Sequence, residues 1–136
     1  MKSLESSPKI SPSERNALLV LNAVSGFGNR KILKLIEFCG SAEAILSLPP
    51  DQLAEISGLS QQAVLNLQHF PRQDFLKKES DNLARHNARV VTFRDEEYPR
   101  SLLDIPDAPI LFYIQGNIPK KIDVSLAIVG SRRPSL

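Results

Sequence analysis

The sequence predicts an α+β chain, all-α at first and then the opening strands of an α/β sheet, and three observations predict it. Up to about residue 87 the apolar residues recur at helical spacing, between serine, proline and glycine signals that start and stop helices. From Val90 the period falls to two, in the runs Val90–Phe93 and Ile110–Ile114. Leu126–Val129 is then a short, wholly apolar run ending at Gly130, the pattern of a strand buried on both faces as in a parallel sheet. The expected organisation is a loose tail over residues 1–10, a helical domain over 11–87 and the beginning of a sheet domain over 88–136.

The totals narrow the function classes. With 17 basic and 15 acidic residues in 136, a formal charge of +2 is too balanced to announce a nucleic-acid binder. Its distribution says more, because Ile118–Leu136 holds Lys120, Lys121, Arg132 and Arg133 against Asp123 alone. The single cysteine, Cys39, excludes an internal disulfide and fits a reducing cytosol, so a cytoplasmic location is expected. His69 and His86 lack ligand spacing, and no metal site is expected. The longest apolar runs, Ala17–Leu21 and Ile110–Ile114, are far too short to span a membrane.

Residues 1–10 are serine-rich, contain Pro8 and show no periodicity. Ser11-Pro12-Ser13-Glu14 reads as a capping box, with Ser11 as N-cap, Pro12 at the first helical position and Glu14 reaching back to the cap. Ala17, Leu18, Leu21 and Val24 follow at helical spacing. Val24-Ser25-Gly26-Phe27-Gly28 then forms an apolar-x-Gly-apolar-Gly turn leading into a helix over Arg30–Phe38. N–H groups near Gly26 and Gly28 would lie at a helix N-terminus, and Arg30, Lys31 and Lys34 supply cations in its first turns, which suits a phosphate. The element resembles the helix-hairpin-helix of DNA-binding proteins.

Gly40 ends that helix, Ser41 caps a short one through Ser47, and Leu48-Pro49-Pro50 launches Asp51–Ile56. Ile56-Ser57-Gly58-Leu59-Ser60 repeats the earlier turn 32 positions on, with Gln61-Gln62-Ala63 where the first copy has Asn29-Arg30-Lys31. This reads as a degenerate second hairpin, only the first copy being equipped for phosphate; the other reading is a pair of helix connectors. A helix over Asp74–Asn87 carries Phe75, Leu76, Glu79, Leu83 and His86, the histidine as a surface or capping residue. Asp95-Glu96-Glu97 reads as a solvated acidic run. Gly130-Ser131-Arg132, past the last strand, occupies the place where α/β sheets bind ligands: glycine admits a phosphate, serine adds a hydroxyl, and arginine offers a bidentate fork.

Tyr98-Pro99, Leu102, Ile105, Asp107, Pro109, Leu111, Tyr113 and Gly116-Asn117, followed by Ala127-Ile128-Val129-Gly130-Ser131-Arg132 and Ser135, resemble the start of the core domain of the DprA (Smf) family, DNA-processing proteins of bacterial transformation. The helical doublet is similar to the N-terminal helix-hairpin-helix or SAM-like domain of many members. Ala108 departs from the pattern, standing where the family often has a second proline. The resemblance implies an incomplete Rossmann-like domain after the helices, truncated here because the family's pattern continues past Ser135. It further implies binding of single-stranded DNA, loading of the RecA recombinase, and phosphate contacts on Gly130, Ser131 and Arg132. Self-association and RecA contact would fall to later parts of the Rossmann-like domain, and the chain would be no enzyme and need no cofactor. Two other classes stand beside this one: a helical protein-interaction or DNA-binding module, and a fragment of a Rossmann-like nucleotide phosphoribohydrolase. The last lacks a catalytic set, since no serine has a histidine assignable to it.

Overall fold

The computed structural model describes residues 10–119, 124, 126–130 and 132. Helices α1 (Pro12–Ala23), α2 (Asn29–Cys39), α3 (Ala42–Ser47), α4 (Pro50–Ser57), α5 (Gln61–Gln68) and α6 (Arg72–Arg85) precede strand β1 (Ala88–Thr92), a 3-10 turn at Arg100–Asp104 and strand β2 (Leu111–Gln115). Helices α1, α3 and α5 start at serine caps. Ser11, Ser41 and Ser60 accept hydrogen bonds through Oγ from the backbone N–H of Glu14, Ala44 and Ala63, at 3.1, 3.0 and 3.2 Å. Gly40, at φ +90°, ends α2 as expected, whereas α6 runs from Arg72 to Arg85, beginning and ending two residues before the expected Asp74–Asn87, and Asn87 takes φ +48° beyond it.

One half of the capping box resolves differently. Glu14 does not reach back to Ser11; its buried carboxylate crosses to α3, accepting from the N–H groups of Ala42 at 2.8 Å and Glu43 at 3.0 Å. Ser11 is exposed, so water can serve its N–H, whereas Ala42 is fully buried and its N–H needs a protein partner. A negative charge at the start of a helix also suits the helix dipole.

Helix α1 packs on α3 and α6, α2 on α3 and α4, and α4 on α5. Their apolar faces meet in a core that includes Leu18, Leu21, Ile32, Leu35, Ile45, Leu53 and Ala63, and Val90, Ile110 and Leu111 from the strand region belong to the same cluster. The change of periodicity near residues 87–89 is therefore a change of element inside one packed core. Ile10 also packs against it.

The sheet departs from the parallel arrangement read from the sequence. β1 and β2 are antiparallel, in register from Ala88 opposite Gln115 to Thr92 opposite Leu111. Leu126–Val129 is not a strand either: Leu126, Ile128 and Val129 are 86%, 92% and 94% exposed. A strand is buried on both faces only between neighbours and under covering helices, and among the described residues neither β1 nor β2 pairs with this stretch. The segment between β1 and β2 is held by Tyr98, whose buried hydroxyl donates to the Pro109 carbonyl at 2.7 Å while its ring lies against Phe112. Burial pushes the Tyr98 phenol above its ordinary value, so it stays a donor.

Helices and strands are also tied by charge. Arg15 on α1 grips Asp95 with two hydrogen bonds of 2.9 and 2.8 Å and donates to the Val90 carbonyl at 2.8 Å. Asp95 in turn accepts from the Thr92 N–H and hydroxyl at 2.7 and 2.9 Å. Burial alone would raise the Asp95 carboxyl, but the hydrogen bonds from Arg15 and Thr92 outweigh it and hold the group below the usual carboxylate range. The run read as solvated is thus divided: Glu96 and Glu97 are exposed, Glu97 pairing with Arg89, while Asp95 organises the turn after β1. Local composition could not reveal its partner, 80 positions away.

Candidate nucleic-acid interface

Two turns in the helical region are built alike. In the first, between α1 and α2, Gly26 takes φ +97° and Phe27 is buried; in the second, between α4 and α5, Gly58 takes φ +59° and Leu59 is buried. The copies also touch. A Cβ on Gly26 would stand 2.6 Å from the Ala63 Cβ, so the first turn lies directly on α5, and Asn66 of α5 donates to the Ser25 carbonyl at 3.1 Å. Gly26 is therefore fixed by packing as well as by backbone conformation.

Gly28 has neither reason to be glycine. Its φ of −91° is open to any residue, and nothing lies within 4 Å of where its Cβ would be. Its missing side chain leaves α2 without a side-chain cap, and the first hydrogen bond of the helix runs from the Ile32 N–H to the Gly28 carbonyl. The N–H groups of Asn29, Arg30 and Lys31 therefore have no helical acceptor. The Asn29 side chain is turned elsewhere, its Oδ1 accepting from Ile110 N–H at 3.3 Å. At the matching place in the second copy, Ser60 satisfies the Ala63 N–H.

Gly26, Gly28, Arg30 and Lys31 are thus brought to one turn. Arg30 and Lys34 are exposed and pair with no described residue, and Lys31 reaches only the Gly26 carbonyl, at 3.4 Å. Open N–H groups, the positive end of a helix and three cations converge there. Most other arginines near the core are committed: Arg15 to Asp95, Arg89 to Glu97 and the Gly116 carbonyl, Arg94 to the Gly40 carbonyl.

Of the second candidate site, Gly130 and Arg132 are exposed, Gly130 has no neighbour within 4 Å of its would-be Cβ, and Ser131 lies outside the described residues. Lys120, Lys121 and Arg133 lie outside them too. Cys39 is partly buried against the core, and burial raises its thiol, leaving it protonated at neutral pH. The sequence reading did not single out Phe38, the most exposed aromatic ring among the described residues, although its place four residues after Lys34 on α2 was legible. Among the described residues no helix is long and apolar enough to cross a membrane.

Comparison with known proteins finds the family described as DNA recombination-mediator protein A over residues 89–136. The DNA processing protein DprA of Streptococcus pneumoniae (strain ATCC BAA-255 / R6) is 33% identical over 110 residues, covering 79% of this chain and 36% of that protein. The chain thus spans about a third of the length of the curated relative it matches. No solved structure matches.

Proposed function

Because the chain belongs to the DNA recombination-mediator protein A family, we propose that it takes part in recombination by binding single-stranded DNA that is passed to RecA. In this reading the helical doublet is a pair of helix-hairpin-helix elements of which the first alone touches the strand. The observation that carries it is the contrast at the two helix starts: α2 begins uncapped beside Arg30 and Lys31, α5 begins capped by Ser60 beside Gln61 and Gln62. The mechanism is binding without bond chemistry. Lys31 and Arg30 neutralise phosphates and release counterions, while the open N–H groups of α2 orient a phosphate at the turn; no base is read. Gly130, Ser131 and Arg132 would supply a second phosphate contact at the start of a Rossmann-like domain, and the contacts with RecA and with further copies would fall to later parts of such a domain, outside this sequence.

The test is a titration of a fluorescent oligothymidine at several low salt concentrations. Arg30 and Lys31, with about two phosphates neutralised between them, should contribute about −1.4 to the slope of the logarithm of affinity against the logarithm of salt. Replacing Arg30→Gln together with Lys31→Ala, which gives the first turn the chemistry of the second, should flatten that slope and leave the thermal unfolding midpoint in place. Equal binding by wild type and double variant would remove the first turn from the interface.

A further inference from the structure

One side of α2 carries more than charge. On a helix turning about 100° per residue, Arg30, Lys34 and Phe38 rise one turn apart along a single stripe, with Lys31 beside it and Glu37 at its other margin. Ile32, Leu35 and Ile36 take the opposite side into the core. Phe38 is 71% exposed, and its ring makes no ring or cation contact with the described residues. Burial would favour a phenylalanine in the core, and this one is instead presented at the far end of a basic stripe.

We propose that the exposed side of α2 is a stacking platform for single-stranded nucleic acid, on which Arg30, Lys31 and Lys34 track the phosphates and the Phe38 ring takes the face of a base. The inference rests on the DNA-binding reading above and assigns that site a base-stacking residue. Chemistry chooses the occupant. A protein partner would meet an apolar patch, yet among the described residues every other large exposed apolar side chain, Leu65, Leu103, Ile105 and Tyr113 as well as Val124, Leu126, Ile128 and Val129, lies outside α2. The face of α2 that carries Phe38 holds three cations and one carboxylate, Glu37. An aromatic ring beside cations is the combination that holds single strands, because every base has a π-face and stacking tolerates any sequence. Double-stranded DNA offers cations its phosphates but offers the ring no free base.

The experiment is the oligothymidine titration repeated on the whole chain with Phe38→Leu, Phe38→Tyr and Lys34→Gln, each first checked for an unchanged unfolding midpoint. Phe38→Leu keeps an apolar side chain but cannot stack, and should weaken binding about 5- to 150-fold at unchanged salt slope. Phe38→Tyr should bind as wild type does. Lys34→Gln should lower the slope instead. Binding by Phe38→Leu within twofold of wild type would overturn the platform while leaving the phosphate-binding turn standing. Absence of binding by wild type at low salt would overturn both. If sedimentation showed self-association that Phe38→Leu abolished, the ring would be a contact between protein copies and the platform would be wrong.

Discussion

The two glycine turns share a backbone and differ in what they leave unsatisfied. Both place a glycine at positive φ and bury the next residue, Phe27 or Leu59, so the same local pattern anchors two helix pairs to one core. The second then closes its account of N–H groups with Ser60, while the first ends in Gly28 and leaves the start of α2 open. A duplicated structural device becomes a candidate binding device through one missing hydroxyl and three added cations, Arg30, Lys31 and Lys34, where the second copy has Gln62, Ala63 and Asn66. The lesson is that the glycine which looks most like a motif is not the one that matters for ligand access: Gly26 is needed by the fold, Gly28 is not.

The strongest way to break this comparison is to add a side chain at each first glycine. Gly26→Val meets a 2.6 Å approach to Ala63 as well as an unfavourable φ, and should cost about 3 kcal/mol or more; Gly58→Val meets only the backbone penalty, about 1–2 kcal/mol. Urea unfolding of both variants measures the difference. Equal losses would mean that the turns do not pack as described.

Acid should act on the tie between α1 and the bend after β1. The Asp95 carboxyl is held low in the folded chain, so its contribution is present above the unfolded value near pH 4 and is lost as the pH falls through the lower, folded one. The stability gap between wild type and Asp95→Asn should therefore be widest at neutral pH and close below about pH 4. A gap that widened on acidification would contradict the hydrogen-bonded arrangement of Arg15, Thr92 and Asp95.

The smallest structural change sharpens the comparison most. Gly28→Ser supplies the first turn with the cap of the second, and should raise stability by only a few tenths of a kcal/mol while occupying an N–H that a phosphate would otherwise use. Calorimetry and oligothymidine affinity, measured on the same variant, should move in opposite directions. Affinity that rose with stability would assign DNA binding to the cations alone.

Much of this fold was legible in the sequence because it is local. Ser11 and Ser41 mark helix starts, Gly40 marks an end, and the fall in period after residue 87 marks β1 and β2. What escaped is set by distance along the chain. Glu14 looked like half of a capping box because residues 11 and 14 satisfy that pattern, but its partners lie 28 and 29 positions away. Asp95 looked solvated among Glu96 and Glu97 until Arg15 was found beside it. Leu126–Val129 read as a buried strand because apolar runs usually are, and burial belongs to neighbours that a run cannot name. At the candidate site, Arg30 and Lys31 could be chosen from spacing, whereas the exposure of Phe38 depends on which side of α2 the other helices cover.

The neighbouring residues Glu14 and Arg15 have a kinetic consequence. From a single turn of α1 they hold the start of α3 and the bend after β1, the latter closing a loop of 80 positions. Long closures come late, after local helices have formed and condensed. A clasp absent from the folding transition state governs how slowly the native chain comes apart and leaves the speed of its assembly nearly unchanged. Among the described residues, removing Arg15 or Glu14 should therefore speed unfolding more than it slows folding, as stopped-flow measurements of both rates would check.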